Sequence, residues 1–361
     1  MTLRQTFPED LLEREEKTAL DLRALYAASG YRSYKMSRFE PYDLYAQNRS
    51  FVTGRSILTF TDTDGRLMAL KPDVTLSIIK NYRGGQQKIR YHENVYRDSG
   101  SSGEFQEIPQ AGLECIGKID AYTQLEVLTL ALKSLACISP RSILDVASVS
   151  WVGALLDAFP VPEAVRAELL KCLREKNAQE ISSLCREAGM EKQAAHVWEE
   201  TARMYGPAAE MLKALKGLAL NGEMLEAAQE LEALCGMLPK EEGQEVNLDF
   251  SILQDLDYYT GLVFRGYVPG VHTGVLSGGR YDHLVNRLGK QAGAIGFAVY
   301  LDLAAGLPGA EREPVPETIL TYEADEDPRD LLDRAEEMRS RGIRVRVLPR
   351  EEKLPKEGDA P

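Results

Sequence analysis

Apolar and polar positions alternate at two periods along this chain, and the changes of period divide it. Near the start, Leu11, Leu12, Ala19, Leu20, Leu22 and Leu25 recur among charges at helical spacing, which predicts an amphipathic opening helix. Short β-rich runs follow, such as Ser56-Ile57-Leu58-Thr59-Phe60 and Lys88-Ile89-Arg90-Tyr91, separated by turn residues. Hairpins and helices mixed in one segment predict an α+β domain built on an antiparallel sheet. From about Pro160 to Gly243 the pattern is helical only. Leu169, Leu170, Leu173, Leu215, Leu218, Leu231, Leu234 and Leu238 stand among Glu, Lys and Ala, with breaks at Gly189, Gly206-Pro207, Asn221-Gly222 and Gly236. This stretch reads as a small helical module inserted into the sheet domain, with its leucines as core. Alternation resumes at Val246, Leu248, Phe250 and Ile252, predicting a strand that ends at Leu253, Gln254 and a pair of tyrosines.

After Pro314 and Pro316 the chain forms a last unit. Thr318 to Tyr322 is strand-like, Asp327-Pro328 is an N-cap with proline at the first helical position, Gly342 closes that helix, and Ile343, Val345 and Val347 alternate. A short β-α-β fragment is expected there. The resulting division is 1–159 for the first part of the sheet core, 160–244 for the inserted helices, 245–310 for the second part of the core and 311–361 for the tail.

Composition narrows the function classes. At 361 residues and 44% hydrophobic, the chain can bury one large core and one or two satellites. No apolar stretch follows Met1, and the most apolar region, Leu125 to Ile138, is interrupted by Lys133, so a soluble cytoplasmic protein is expected, with no membrane contact. Five cysteines without a Cys-x-x-Cys pair fit free thiols in a reducing compartment, and four scattered histidines form no ligand pair. Neither a metal nor a cofactor is expected. A net charge of −13 opposes a polyanionic partner such as tRNA. The nearest basic stretch, Arg339, Arg341, Arg344 and Arg346, is flanked by Glu336, Glu337, Glu351 and Glu352 and reads as a solvated surface.

Several short segments occur in a fixed order: Leu70-Lys71-Pro72-Asp73-Val74-Thr75, Tyr96-Arg97, Gln110-Ala111-Gly112-Leu113-Glu114, Gln254-Asp255-Leu256-Asp257-Tyr258-Tyr259-Thr260-Gly261, Ser277-Gly278-Gly279-Arg280-Tyr281-Asp282 and Gly296-Phe297-Ala298. Any one is weak; the ordered set resembles a class II aminoacyl-tRNA synthetase core of the histidyl type. It is closer still to the non-catalytic relatives of those enzymes, the regulatory subunits of ATP phosphoribosyltransferase. The resemblance covers most of the chain up to about residue 307. It implies a sheet core flanked by helices and a pocket for free histidine.

The implied pocket makes chemical sense. A free amino acid presents an ammonium, a carboxylate and a side chain. Asp73, Thr75 and Gln110 can take the ammonium, and Arg97 can hold the carboxylate with its planar fork. For an imidazole, a carboxylate and a phenol on opposite ring nitrogens are well matched, and Glu114 and Tyr259 resemble those readers. Tyr258 and Tyr281 would wall the pocket. Plainer roles stand beside these: Asp73 and Thr75 as caps of a helix starting near Thr75, Arg97 in a surface ion pair with Asp98, the tyrosines as strand aromatics, Gly278-Gly279 as a tight turn. Glu114 between Leu113 and Cys115 is harder to place so, because an apolar strand seldom tolerates a lone carboxylate.

Departures from the synthetase pattern bear on activity. Where the synthetases carry arginines that meet the reacting phosphate, this chain has Gln254 and Leu303, and a lost arginine in phosphoryl transfer can cost ~10³-fold or more. Ser99 stands where a glutamate is expected after the arginine, and Ser37-Arg38-Phe39-Glu40 replaces a Pro-x-Phe-Glu dimer motif. The resemblance therefore implies no catalysis of its own. It implies a regulatory subunit that joins the short-form catalytic subunit of ATP phosphoribosyltransferase in the first step of histidine biosynthesis, with L-histidine as feedback effector and a homodimer inside a larger hetero-oligomer. Two alternatives stay open: a free-standing histidine-binding paralogue acting on another partner, and an active histidyl-tRNA synthetase.

Overall fold

The computed structural model describes residues 12–48, 57–98, 104–253, 258–307, 317–323 and 326–350. The chain divides into two compact units, Met1–Leu307 and Pro308–Pro361. The first opens with helix α1 (Arg14–Ala28), strands β1 (Arg32–Ser33) and β2 (Phe39–Pro41), the one-turn helix α2 (Asp43–Ala46), β3 (Thr59–Thr61), β4 (Leu67–Leu70) and α3 (Thr75–Asn81). A long hairpin follows, β5 (Gln87–Asp98) and β6 (Phe105–Gly117), then α4 (Ala121–Ile138), β7 (Ser142–Ser148) and α5 (Val149–Ala158). Next come α6 (Glu163–Arg174), α7 (Ala178–Glu187), α8 (Lys192–Arg203), β8 (Tyr205–Pro207), α9 (Ala208–Gly217) and α10 (Gly222–Met237). The unit closes with β9 (Gln244–Asp249), β10 (Leu262–Tyr267), β11 (Leu276–Arg280), α11 (Asp282–Arg287), β12 (Gly293–Tyr300) and α12 (Leu301–Ala305).

Nine strands form one sheet in the order β1-β5-β6-β12-β11-β10-β7-β9-β8, and β2-β4-β3 form a second small sheet. The large sheet is antiparallel except where β1 meets β5 and β7 meets β9. One of its faces is the main core. Leu113 and Cys115 of β6, Phe264 of β10 and Phe297 of β12 pack there with Leu22 and Tyr26 of α1 and the apolar run of α4. The periodicity of α1 is the cause: Ala19 and Leu22 turn inward while Leu20 stays 45% exposed. Helix α4 starts where the Asp120 carboxylate accepts the Thr123 amide at 3.0 Å.

Helices α6 to α10 bury Leu169, Trp198, Leu212, Leu215 and Leu231. The stretch is not wholly helical, since β8 pairs antiparallel with the end of β9. The strand expected through Ile252 also stops early. The Asp249 carboxylate accepts the Ser251 amide at 2.8 Å and starts a 3₁₀ turn over Phe250–Ile252, so local capping overrides the alternation. Leu11, Ser56, Ser99, Gln254, Pro314 and Pro316 lie outside the described residues.

The second unit consists of β13 (Glu317–Tyr322), α13 (Pro328–Ser340) and β14 (Arg344–Pro349), with the strands parallel. The Asp327 carboxylate accepts the Arg329 amide at 2.8 Å, and Gly342 takes φ +81° after the helix. Among the described residues no helix is long and apolar enough to cross a membrane.

Candidate functional site

Residues two apart on a strand share a face, so Gln110, Gly112 and Glu114 of β6 lie together, opposite in sense to Leu113 and Cys115 of the main core. Their cross-strand partners extend that face: Tyr91 and Glu93 on β5, then Gly296, Ala298 and Tyr300 on β12, then Gly279 and Ser277 on β11. The floor is short of side chains because other groups occupy the space. A β-carbon at Gly296 would stand on the Glu114 carboxylate, and one at Gly279 would meet the Tyr259 ring at 2.5 Å. Gly278 and Gly279, expected as a tight turn, are residues of strand β11. They are glycines for clearance, not for a bend.

Glu114 is 2% exposed. The Thr75 hydroxyl donates to one of its oxygens at 2.7 Å, and the Tyr281 hydroxyl donates to the other. Burial pushes the carboxyl up to about 8, against the pull of those two hydroxyls. Thr75 is delivered by the N-terminus of α3, whose first turn is held by the Asp73 carboxylate accepting the Leu76 amide at 2.8 Å. Tyr281 is fixed by its own backbone, its amide donating to the Ala294 carbonyl at 2.8 Å.

Tyr258 and Tyr259 approach from the loop before β10. Gly261 turns that loop with φ +80°, which a residue with a β-carbon adopts at a cost, and its carbonyl accepts the Val149 amide at 2.6 Å. The rings of Tyr258 and Tyr259 meet edge-on at 4.6 Å between centroids, and Tyr258 lies 5.7 Å from Tyr281. The Tyr258 phenol lies near Thr75 and the Tyr259 phenol near Ser277. Burial raises all three phenols, keeping them neutral.

Arg97 and Asp73 face each other at the mouth, Nη2 to Oδ2 at 3.9 Å, while Arg97 Nε donates to the Pro72 carbonyl at 2.8 Å. This anchors one edge of the guanidinium and leaves the fork close to α3. Gln110 is 3% exposed, and its amide nitrogen has no hydrogen-bond partner. A buried donor left unsatisfied costs on the order of 1–3 kcal/mol, so this amide is poised for an acceptor.

All eight residues singled out from the sequence, Asp73, Thr75, Arg97, Gln110, Glu114, Tyr258, Tyr259 and Tyr281, thus converge on one face of one sheet. Sequence reasoning missed Tyr91, which crosses the floor, and Glu93 two residues along the same face, whose carboxylate pairs with the buried Lys71. A lysine between Leu70 and Pro72 was the available signal for the latter. Among the described residues no group of His, Cys, Asp and Glu side chains is placed to hold a metal ion.

The model of the family described as histidyl-tRNA synthetase matches residues 3–303, most of the chain. The chain belongs to the histidyl-tRNA synthetase family. Within it, the chain is 27% identical over 361 residues to an ATP phosphoribosyltransferase regulatory subunit from Clostridium kluyveri, covering 94% of this chain and 92% of the relative. Two solved structures share the fold. One, from Bacillus halodurans, is described as an ATP phosphoribosyltransferase regulatory subunit/histidyl-tRNA synthetase; it matches with TM-score 0.78 at 23% identity, over 95% of this chain and 90% of that one. The other is a chain of the ATP phosphoribosyl transferase complex from Thermotoga maritima, with TM-score 0.62 at 20% identity, over 78% of this chain and 96% of that one. Leu303 packs its side chain against the main core.

Proposed function

We propose that this chain is the non-catalytic regulatory subunit of an ATP phosphoribosyltransferase, binding L-histidine in the pocket around Glu114 and passing its occupancy to a short-form catalytic subunit in the cytoplasm. The observation that supports the reading is the gathering of Thr75, Glu114 and the tyrosines on one sheet face, in a chain that has Leu303 where the resemblance implies an arginine. Thr75, Glu114 and the tyrosines form a buried, hydrogen-bonded cage. Leu303, where the resemblance implies an arginine, packs against the main core and offers no charge to a phosphate. The regulatory subunits among the relatives, similar over nearly the whole chain, support the partner.

Feedback then requires that histidine bind two states of the assembly with different affinity, since an effector shifts an equilibrium only by that difference. The homodimer belongs to the same reading. Phe39 is 48% exposed and packs edge-on against Phe60 at 5.1 Å, giving the small sheet an open apolar face suited to a second copy.

Calorimetric titration of the purified chain with L-histidine, and separately with ATP, tests the site. Saturable histidine binding without ATP binding is the expected result. Binding of neither sinks the pocket, and histidine-dependent pyrophosphate exchange with ATP would identify an active synthetase instead. Mixing with the catalytic subunit should restore phosphoribosyl transfer that histidine then suppresses.

A further inference from the structure

The loop that carries Tyr258 and Tyr259 to the pocket has a back, and a second cleft lies against it. Arg280 follows Gly279 on β11 and so points to the face of the large sheet opposite the pocket floor. There Ser148, Leu262 and Arg280, at the adjoining ends of β7, β10 and β11, line the cleft beside Thr260 and Gly261. Gln124 of α4, Ser150 of α5 and Glu230, Leu231 and Leu234 of α10 close it. Its volume is about 130 Å³. One water needs roughly 10–15 Å³ of cavity, so there is room for about ten heavy atoms and none for a nucleotide.

The polar groups of this cleft carry both signs, and several are uncommitted. Arg280 gives Nε and Nη2 to the Asp282 carboxylate, at 2.9 and 2.7 Å, and keeps Nη1. Among the described residues the side chains of Gln124, Ser150 and Glu230 take part in no hydrogen bond or ion pair. The Ser148 hydroxyl accepts the Trp151 amide at 3.2 Å and still has a proton to donate. An inorganic anion would be repelled by Glu230, and a simple amine by Arg280; a molecule bearing both charges satisfies the two together. We propose that the cleft is a second ligand site, for a small zwitterionic amino acid with an apolar side chain. Arg280 takes the carboxylate, Glu230 the ammonium, and Leu231 and Leu234 the side chain.

The same residues tether the tyrosine loop. The Arg280 carbonyl accepts the Thr260 amide at 2.6 Å, and the Gly261 carbonyl accepts the amide of Val149, which stands between Ser148 and Ser150, at 2.6 Å. A ligand in the cleft braces the loop from behind, so it and a ligand held in front by Tyr258 and Tyr259 alter each other's affinity. The second site is independent of the histidine reading, and only this coupling rests on it.

Thermal unfolding of wild type, Glu230→Ala and Glu114→Gln is followed with L-alanine, L-valine, L-leucine or L-methionine at millimolar concentration. Glu230 is exposed on α10, so its alanine variant should melt with the wild type when nothing is added. At least one of the four should raise the wild-type melting temperature by about 2–4 °C, with the rise lost in Glu230→Ala and kept in Glu114→Gln. No rise with any of them overturns the site. A rise that survives Glu230→Ala, or that Glu114→Gln abolishes, also overturns it. With the stabilising amino acid at saturation, calorimetric affinity for L-histidine should differ about fivefold from its value without it, and the difference should vanish in Glu230→Ala. Equal affinities overturn the coupling, whereas a wild type that binds no histidine at all overturns the histidine reading and leaves the second site standing.

Discussion

At Glu114 two effects oppose each other, and the balance between them is measurable. Two hydroxyls favour the charged carboxylate, while burial favours the neutral acid and wins, so the folded group titrates near 8 against an ordinary 4.5. Between those values the folded chain holds a proton that the unfolded chain has released. The stability this proton contributes is complete below about 4.5 and is lost as pH rises through about 8. Thermal unfolding from pH 5 to pH 8 should therefore show wild type losing more stability than Glu114→Gln. Ligand binding couples to the same proton: a cationic or N–H donor seated on Glu114 restores its charge. Histidine binding near pH 7 should release a proton, read as a binding enthalpy that changes with the ionisation enthalpy of the buffer. Glu114→Gln should abolish that dependence.

At the scale of elements, the site is made by clearances between strands and by the start of one helix. Gly296→Ala on β12 would push against the Glu114 carboxylate, and overpacking of this kind costs roughly 1–3 kcal/mol. Histidine affinity should fall about tenfold or more by calorimetry. Asp73→Ala removes the carboxylate that holds the first turn of α3, worth ~1 kcal/mol, and should lower the melting temperature by about 2–4 °C. Local signals of this sort were legible in the sequence: the apolar run of α4, the Asp327-Pro328 start of α13, the leucines of α6 to α10 and, as an ordered set, the eight residues that the fold brings together. What was not legible depends on register between distant strands. Nothing local tells that Tyr91 lies across Gly112, that Gly279 is empty for the Tyr259 ring, or that Tyr281 bonds to Glu114, because each joins segments separated by many residues. The early end of β9 was hidden for the opposite reason. A single capping contact from Asp249 overrode an alternating pattern that continued past it.

For the whole molecule, charge and association are the measurable properties. A net charge of −13 favours a partner with a basic surface, and the rate of complex formation with the catalytic subunit should fall as salt is raised, followed by stopped-flow mixing. Phe39→Asp on the open face of the small sheet should turn the proposed homodimer into a monomer in light scattering, while histidine still binds. The pairing of β7 with β9 has a consequence in time as well as in space. Val146 and Leu248 are partners about a hundred residues apart, with α5 to α10 strung between them. Closing so long a flexible loop costs on the order of 4 kcal/mol of chain entropy, and the cost falls if the intervening helices have already condensed. The inserted helices, built on short-range contacts around Trp198, are thus expected to collapse early and act as a splint that brings the two halves of the sheet within reach. The proposed histidine pocket, assembled from residues on both sides of that insertion, would be among the last features of the molecule to form.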